Sequence, residues 1–322
     1  MINFCTLFDS NYIHYGLCLH ASLLKQCKEF HLFVFTFDQR CHDVLTRMSL
    51  ENVTLVSLSE FEDEELLAIK QSRSKGEYCW TCTPSVIRYV LQHYSVDSCT
   101  YVDSDLFFYS DPSVLLEAMG EASVSITDHR YHSDYDQTAT SGKYCVQFMT
   151  FKNDEPGLHV LNWWRAACIE WCFNRHEDGK FGDQKYLDDW SSRFGLAIHE
   201  IPHEGAGVAP WNAKKYRFSD ARGRIAVQSE QGKWDLVFFH FHGLQFLGWL
   251  FVRLTTKTYA LPREAVRLVY RPYLATMLSV ICRLWSMGLR VQPMEMPTLS
   301  VGKKMRLLFG RPYKNIYRLF FP

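Results

Sequence analysis

Along the first half of the chain, short apolar runs alternate with segments of helical spacing. Residues 2–8 form one such run and pass into Asp9-Ser10-Asn11-Tyr12, after which Leu17, His20, Ala21 and Leu24 recur on one helical face. Residues 31–38 are a continuous apolar run ending in Asp38, as a strand of a covered parallel sheet should be. Residues 53–58 repeat the pattern, and residues 85–94 read as a helix opening after Pro84. Thr100-Tyr101-Val102 then leads into Asp103-Ser104-Asp105. Beyond it, residues 123–127 read as a strand ending at Asp128, residues 131–143 as a polar, turn-rich loop, and residues 144–151 as a strand. Residues 156–173 read as a helix whose Trp163, Trp164 and Trp171 serve packing; Gly182-Asp183-Gln184 opens a shorter helix. Residues 237–243 read as a strand that places His240 and His242 on one face. Alternation of this kind predicts an α/β sheet with right-handed crossovers, whose ligands bind outside the carboxyl ends of the strands. Asp9, Asp38 and Asp103 stand at three such ends and are expected to line one cleft.

The densest chemistry lies at Asp103-Ser104-Asp105. On an extended backbone, side chains two apart project to the same side, so two carboxylates face one way and repel unless a positive group sits between them. A divalent cation with hard oxygen ligands, Mn²⁺ or Mg²⁺, fills that need, and substrate phosphates commonly complete its shell. The competing reading is a turn, since Asp-Ser-Asp is also ordinary loop chemistry. A neutral imidazole from His240 or His242 suits the same ion. For Asp183, the competing role is a helix N-cap.

Composition narrows the class. With 322 residues, 47% hydrophobic and 15% aromatic, the chain is globular and large enough for one big domain or two ordinary ones. No uninterrupted apolar run reaches the roughly 18 residues a bilayer demands, and no basic segment precedes an apolar one at the start, so a secretory signal is not expected. Eleven scattered cysteines then read as reduced, mostly buried thiols of a cytoplasmic protein. Cys79-Trp80-Thr81-Cys82 has no second pair at zinc-ribbon spacing and opens no thioredoxin-like unit. Phosphate-loop, dinucleotide and serine-hydrolase signatures are absent from the sequence. The net charge of zero conceals an asymmetry: residues 251–322 hold 13 Lys and Arg against Glu264 and Glu295, leaving the rest at −11. This places a domain boundary near residue 250. The region 251–322 reads as a basic amphipathic helical extension, rich in Trp285, Leu307, Leu308, Phe309, Tyr317, Phe320 and Phe321, that rests on an anionic membrane face. Nucleic acid is not expected as a partner, because an acidic body repels it.

Taken in order, Asp9-Ser10-Asn11-Tyr12, Asp103-Ser104-Asp105, Asp183-Gln184 and His240-Phe241-His242-Gly243 resemble the nucleotide-sugar-dependent glycosyltransferases of the GT-A fold, and most closely the family-8 retaining type. The resemblance covers roughly residues 2–245. It implies a mixed Rossmann-like sheet flanked by helices, with residues 1–250 as the catalytic domain. It further implies that Asp9, Asn11 and Tyr12 contact a uridine nucleotide, that Asp103, Asp105 and His240 hold Mn²⁺ or Mg²⁺, and that Gly243 approaches the diphosphate. Ser104 and Arg88 would lie near the donor, Asp128 near the donor or acceptor sugar unless it only terminates its strand, and Asp183 or Gln184 near the anomeric carbon. Where the family continues with Lys-Pro-Trp, this chain has Leu244-Gln245-Phe246, so that diphosphate cation is missing or comes from elsewhere. Val146-Gln147-Phe148-Met149 likewise replaces the family's Asn-Ser/Ala-Gly. The expected activity is transfer of a sugar from a UDP-linked donor to a glycan or lipid-linked glycan at the cytoplasmic face of a membrane. A catalytically inactive member that scaffolds a polysaccharide-synthesis complex is the alternative.

Overall fold

The computed structural model describes residues 1–247, 251–289 and 315–318. Its centre is a seven-stranded sheet of β1 (Ile2–Phe8), β2 (Phe30–Thr36), β3 (Val53–Ser57), β4 (Ser98–Val102), β6 (Val124–Asp128), β7 (Tyr144–Lys152) and β8 (Ile198–Glu200), with β5 (Leu106–Phe108) outside it. The order across the sheet is β3-β2-β1-β4-β7-β6-β8. Only β7 runs against its neighbours, pairing antiparallel with both β4 and β6. The sequence-derived α/β class is therefore observed, with parallel pairing through β3, β2, β1 and β4 and one reversed strand. Because β7 is central, eight of its nine residues are buried on either face, which is why it reads as one apolar run.

Chain order reverses between β1 and β4: the strands step outward through β2 and β3 on one side, and through β7 and β6 on the other. Ligands of open α/β sheets bind at such a switch point. The loops after β1 and β4 carry Asp9 and Asp103, so the topology sets these two groups side by side.

Helices α1 (Ile13–Gln26), α2 (Gln39–Met48), α3 (Lys75–His93) and α4 (Glu155–Glu170) cover the sheet. Two cores result. Phe33, Phe35, Val86, Ile87, Met149 and Trp164 fill one face, and Phe4, Leu19, Leu32, Phe148 and Phe238 the other. The helix expected over residues 85–94 begins ten residues earlier. Ser74 and Glu77 form a capping box at its start, and Pro84 sits inside the helix rather than at its first turn. There it costs one backbone hydrogen bond but does not end the helix. As a result Cys79, Trp80 and Thr83 lie on a helix pointing into the cleft.

Three small sheets complete the molecule. β9 (Arg217–Ala221), β10 (Arg224–Gln228) and β11 (Lys233–Asp235) form an antiparallel meander, β12 (Phe238–His240) pairs with β5, and β13 (Gln245–Phe246), β14 (Phe251–Arg253) and β15 (Ile316–Arg318) form the third. The strand expected over residues 237–243 is thus only three residues long, with His242 and Gly243 in a turn. α5 (Arg271–Ser286) continues a helical segment from Arg263. Tyr270, Tyr273, Leu274 and Met277 pack with Phe239, Phe241 and Val252 in one core, so packing is continuous across residue 250. By length and composition, Arg263–Ser286 could cross a membrane, though no uninterrupted apolar run was apparent in the sequence. Of the tail's apolar residues, Leu307, Leu308, Phe309, Phe320 and Phe321 lie outside the described residues, as does the side chain of Tyr317. All eleven cysteines are free and nine are buried.

Candidate metal and nucleotide-sugar site

At the switch point the sheet opens into a cavity of about 660 Å³. Asp9, Tyr12, Asp103, Ser104, Asp105, Asp183, Gln184 and His240 all line it, so most of the sequence-derived candidates meet in one place.

Asp103 is held from three sides. Its amide donates to the Gln147 carbonyl on β7 at 3.0 Å, its carbonyl accepts from Leu106 at 3.1 Å, and the Tyr101 hydroxyl donates to its carboxylate at 2.9 Å. Asp105 is fixed from the other side, its carbonyl accepting from the Phe241 amide at 3.0 Å. The β5–β12 ribbon puts His240 opposite Leu106, directly beside Asp105. His240 Nε2 then lies 3.1 Å from Asp105 Oδ1 and 3.9 Å from Asp103 Oδ2. Ligand atoms of the three side chains lie within 4.8 Å of one another, a spacing one small cation can bridge; among the described residues no other such group of His, Cys, Asp and Glu occurs.

The electrostatics describe the same need. Burial and the neighbouring Asp105 charge push the Asp103 carboxyl up to about 6, against a lowering by His240. Burial alone would depress His240, yet the charges of Asp105 and Asp103 hold it well above the ordinary histidine range. Two carboxylates and an imidazole converging in a partly dry wall thus demand a positive charge, supplied by a proton on the ring or by an ion. The donor set, two carboxylate oxygens and one imidazole nitrogen, fits Mn²⁺ or Mg²⁺.

Asp183 sits deeper. Gly182 before it has φ +53, the left-handed turn that delivers Asp183 to the wall. It does not take the competing N-cap role: the following 3₁₀ turn, Lys185–Asp189, has Gln184 at the cap position with no side-chain cap. Its carboxyl is pushed up to about 7, by burial first and the Asp103 charge second, against the Thr83 hydroxyl bonded to it. Gln184 ties the opposite rim, donating from Nε2 to the Ser141 carbonyl at 2.7 Å.

Other candidates take different places. Asn11 is engaged with Asp9 through its amide and its Nδ2, each at 2.9 Å, at the rim beside rather than in the cavity lining. Asp38 does not join the cleft: its carboxylate accepts from Ser10 N at 2.9 Å and caps α2 through Cys41 N at 2.7 Å. Asp128 closes a turn, accepting from Arg130 N at 2.6 Å, and neither it nor the half-buried Arg88 is among the lining residues. Gly243 has φ +74, and a Cβ there would lie 2.8 Å from Thr256 Cγ2, so the turn after His242 requires glycine. The sequence reading missed Gln147, whose Oε1 accepts from His240 Nδ1 at 2.9 Å, and Trp211, edge-on to both His240 and His242. It also missed Lys75, the only Lys or Arg among the described residues lining the cavity. The capping box around Ser74 was the one signal that could have located Lys75.

No protein-family model matches the sequence. Two proteins of Bacillus subtilis (strain 168), both uncharacterized, are similar to it. YfnD is 31% identical over 286 residues, covering 84% of this chain and 87% of its own. YfnF is 33% identical over 249 residues, covering 74% and 80%. Among solved structures, the galactosyltransferase LgtC in complex with donor and acceptor sugar analogs matches 95% of this chain and all of its own with a TM-score of 0.53 at 10% identity. An active-site Gln-to-Glu mutant of LgtC matches 86% and 96% with a TM-score of 0.54 at 10% identity. Identity that low bears on fold, and the fold it bears on is the GT-A one. The chain therefore belongs with YfnD and YfnF in one family, built on the GT-A fold.

Proposed function

We propose that this chain is a metal-dependent glycosyltransferase that moves a sugar from a nucleotide donor, UDP-linked, to a hydroxyl of a glycan or lipid-linked glycan, with retention of configuration. The observation that carries the reading is the convergence of Asp103, Asp105 and His240 at the switch point of the sheet, inside a cavity of about 660 Å³. Bound there, Mn²⁺ or Mg²⁺ would supply Lewis-acid stabilisation of the diphosphate leaving group. Asp9 and Tyr12, at the end of β1, face the same cavity and receive the nucleoside; Lys75 provides the cation absent after Gly243. Ser104, between the two aspartates in the chain, lines the same cavity.

In the transfer, the acceptor oxygen bonds to the anomeric carbon as the bond from that carbon to the phosphate oxygen breaks. The acceptor proton passes to the leaving phosphate on the same face. Asp183 and Gln184 stand beside this centre. The first offers a carboxyl poised near neutrality to stabilise the developing positive charge on the sugar, and the second anchors the 138–141 turn. In LgtC a glutamine is named as an active-site position, the role assigned to Gln184 here.

The test is calorimetric and kinetic. Mn²⁺ with UDP should raise the thermal midpoint of the wild type, and UDP-sugar hydrolysis should follow with one of a panel of donors. Asp103→Ala should abolish the metal-dependent part of UDP binding; unchanged affinity would refute the metal assignment. Binding without turnover of any donor would favour the inactive scaffold instead.

A further inference from the structure

We propose that Gln147 is the positioning residue that makes His240 a metal ligand, by fixing the imidazole tautomer whose Nε2 lone pair faces Asp103 and Asp105. The inference rests on the metal-site reading above. His240 Nδ1 lies 2.9 Å from Gln147 Oε1. An amide oxygen only accepts, so Nδ1 carries the proton. The orientation of the amide is itself determined. Thr127 Oγ1 donates its one proton to the Cys145 carbonyl at 3.1 Å, and toward Gln147 Nε2, 3.5 Å away, it offers only lone pairs. The nitrogen end must therefore meet Thr127, and the oxygen end is left for His240.

Polarity thus runs from a backbone carbonyl of β7 through Thr127 and Gln147 to the imidazole. Thr127 and Gln147 are both fully buried, so protein groups set this order. Gly207 keeps the relay closed, since a Cβ there would stand 2.9 Å from Gln147 Nε2. Histidines that ligate metals characteristically donate their other ring N–H to an acceptor of this kind. In a neutral ring so held, the lone pair on Nε2 points at two carboxylates, an arrangement that only an intervening cation makes attractive.

The experiment measures Mn²⁺ binding to the full chain by loss of the free-ion EPR signal. It compares wild type with Gln147→Leu, Gln147→Glu and Thr127→Val, each checked for folding by circular dichroism and thermal midpoint. Gln147→Leu should weaken binding about 10- to 100-fold and remove the imidazole-nitrogen coupling to bound Mn²⁺ in pulsed EPR. Gln147→Glu keeps an acceptor opposite Nδ1 and should bind at least as tightly as wild type, while its buried carboxylate lowers the thermal midpoint. That split separates positioning from packing, because under a packing role affinity would follow stability. Thr127→Val lets the amide turn over and should weaken binding by less than Gln147→Leu. Wild-type affinity in a folded Gln147→Leu chain, or weakened binding in Gln147→Glu, overturns this assignment and leaves the metal site standing. A wild type that takes up no Mn²⁺, with or without UDP, removes the metal site and this inference together.

Discussion

A carboxyl pushed up to about 7 inside a cavity is destabilising for the fold, and Asp183 carries that burden. Its folded pKa lies above the ordinary aspartate value of 3.8, so the native state holds the proton longer than the unfolded chain does. Stability is therefore lost as pH rises from about 4 to 7 and stays lost above it. Asn at this position cannot titrate. In metal-free protein Asp183→Asn should be more stable than wild type at pH 8, by up to about 4 kcal/mol for a shift of some three pKa units, and nearly equal below pH 4. Denaturant midpoints across that range check the sign, and no gain at pH 8 would mean the carboxyl is not strained. The same variant should lower turnover about 100-fold or more while leaving UDP affinity near wild type. At this scale the sequence revealed the charged ligands, because two aspartates two positions apart are a local signal. The extended backbone expected there is instead a turn through Ser104 and Asp105, closed by the Leu106 amide on the Asp103 carbonyl. It concealed Gln147, whose partner His240 is 93 positions away, and Trp211, which lies in a stretch with no periodicity to mark it.

Among the elements, α3 does the most to shape the cleft, since Lys75, Cys79, Trp80 and Thr83 all reach the cavity from its first turns. Glu77 fastens that end. Its carboxylate accepts from Ser74 N at 2.8 Å within the capping box and from Asn174 N at 2.8 Å across the loop that follows α4. These hydrogen bonds, the one from Asn174 foremost, hold Glu77 below the usual glutamate range. A depressed acid stabilises the fold above its unfolded pKa and loses that contribution as pH falls through the folded one. Glu77→Ala should cost about 1–2 kcal/mol at pH 7, and less at pH 3, which lies nearer to protonation of the wild-type carboxyl. Urea midpoints at the two pH values decide it, and equal losses at both would assign the effect to packing. The strands of the main sheet were legible because covered parallel strands are continuous apolar runs. β9 to β11, a solvated meander of short mixed strands, left no such trace, and the start of α3 was misplaced because Pro84 was taken for its first turn.

For the whole molecule, the question is what the basic C-terminal region meets. The helical segment from Arg263 to Ser286 turns Val269, Tyr270, Tyr273 and Met277 into the core, where the Tyr273 ring stacks on Phe241 with centroids 3.6 Å apart. Only 39% of its most apolar stretch is buried, and its outer side exposes Arg263, Arg267, Arg271 and Arg283, with Trp285 at 40% exposure. Crossing a bilayer would strip the inner aromatics from Phe107, Phe239 and Phe241, and would draw four guanidinium groups into hydrocarbon or past it. Lying flat on an anionic surface demands neither, and each basic group near the surface adds roughly 1 kcal/mol. We therefore propose that this face docks the chain at a cytoplasmic membrane surface, with the acidic remainder turned away. Deleting the region would expose the core and unfold the chain, so charge reversal is the informative change. Replacing Arg267, Arg271 and Arg283 by Glu should leave the thermal midpoint within a few degrees of wild type, because all three are exposed. It should also abolish co-sedimentation with vesicles containing anionic lipid, as high salt should for the wild type. If the triple variant still sediments with those vesicles, contact runs through other residues; if the wild type never does, the membrane docking is refuted while the cavity chemistry is untouched.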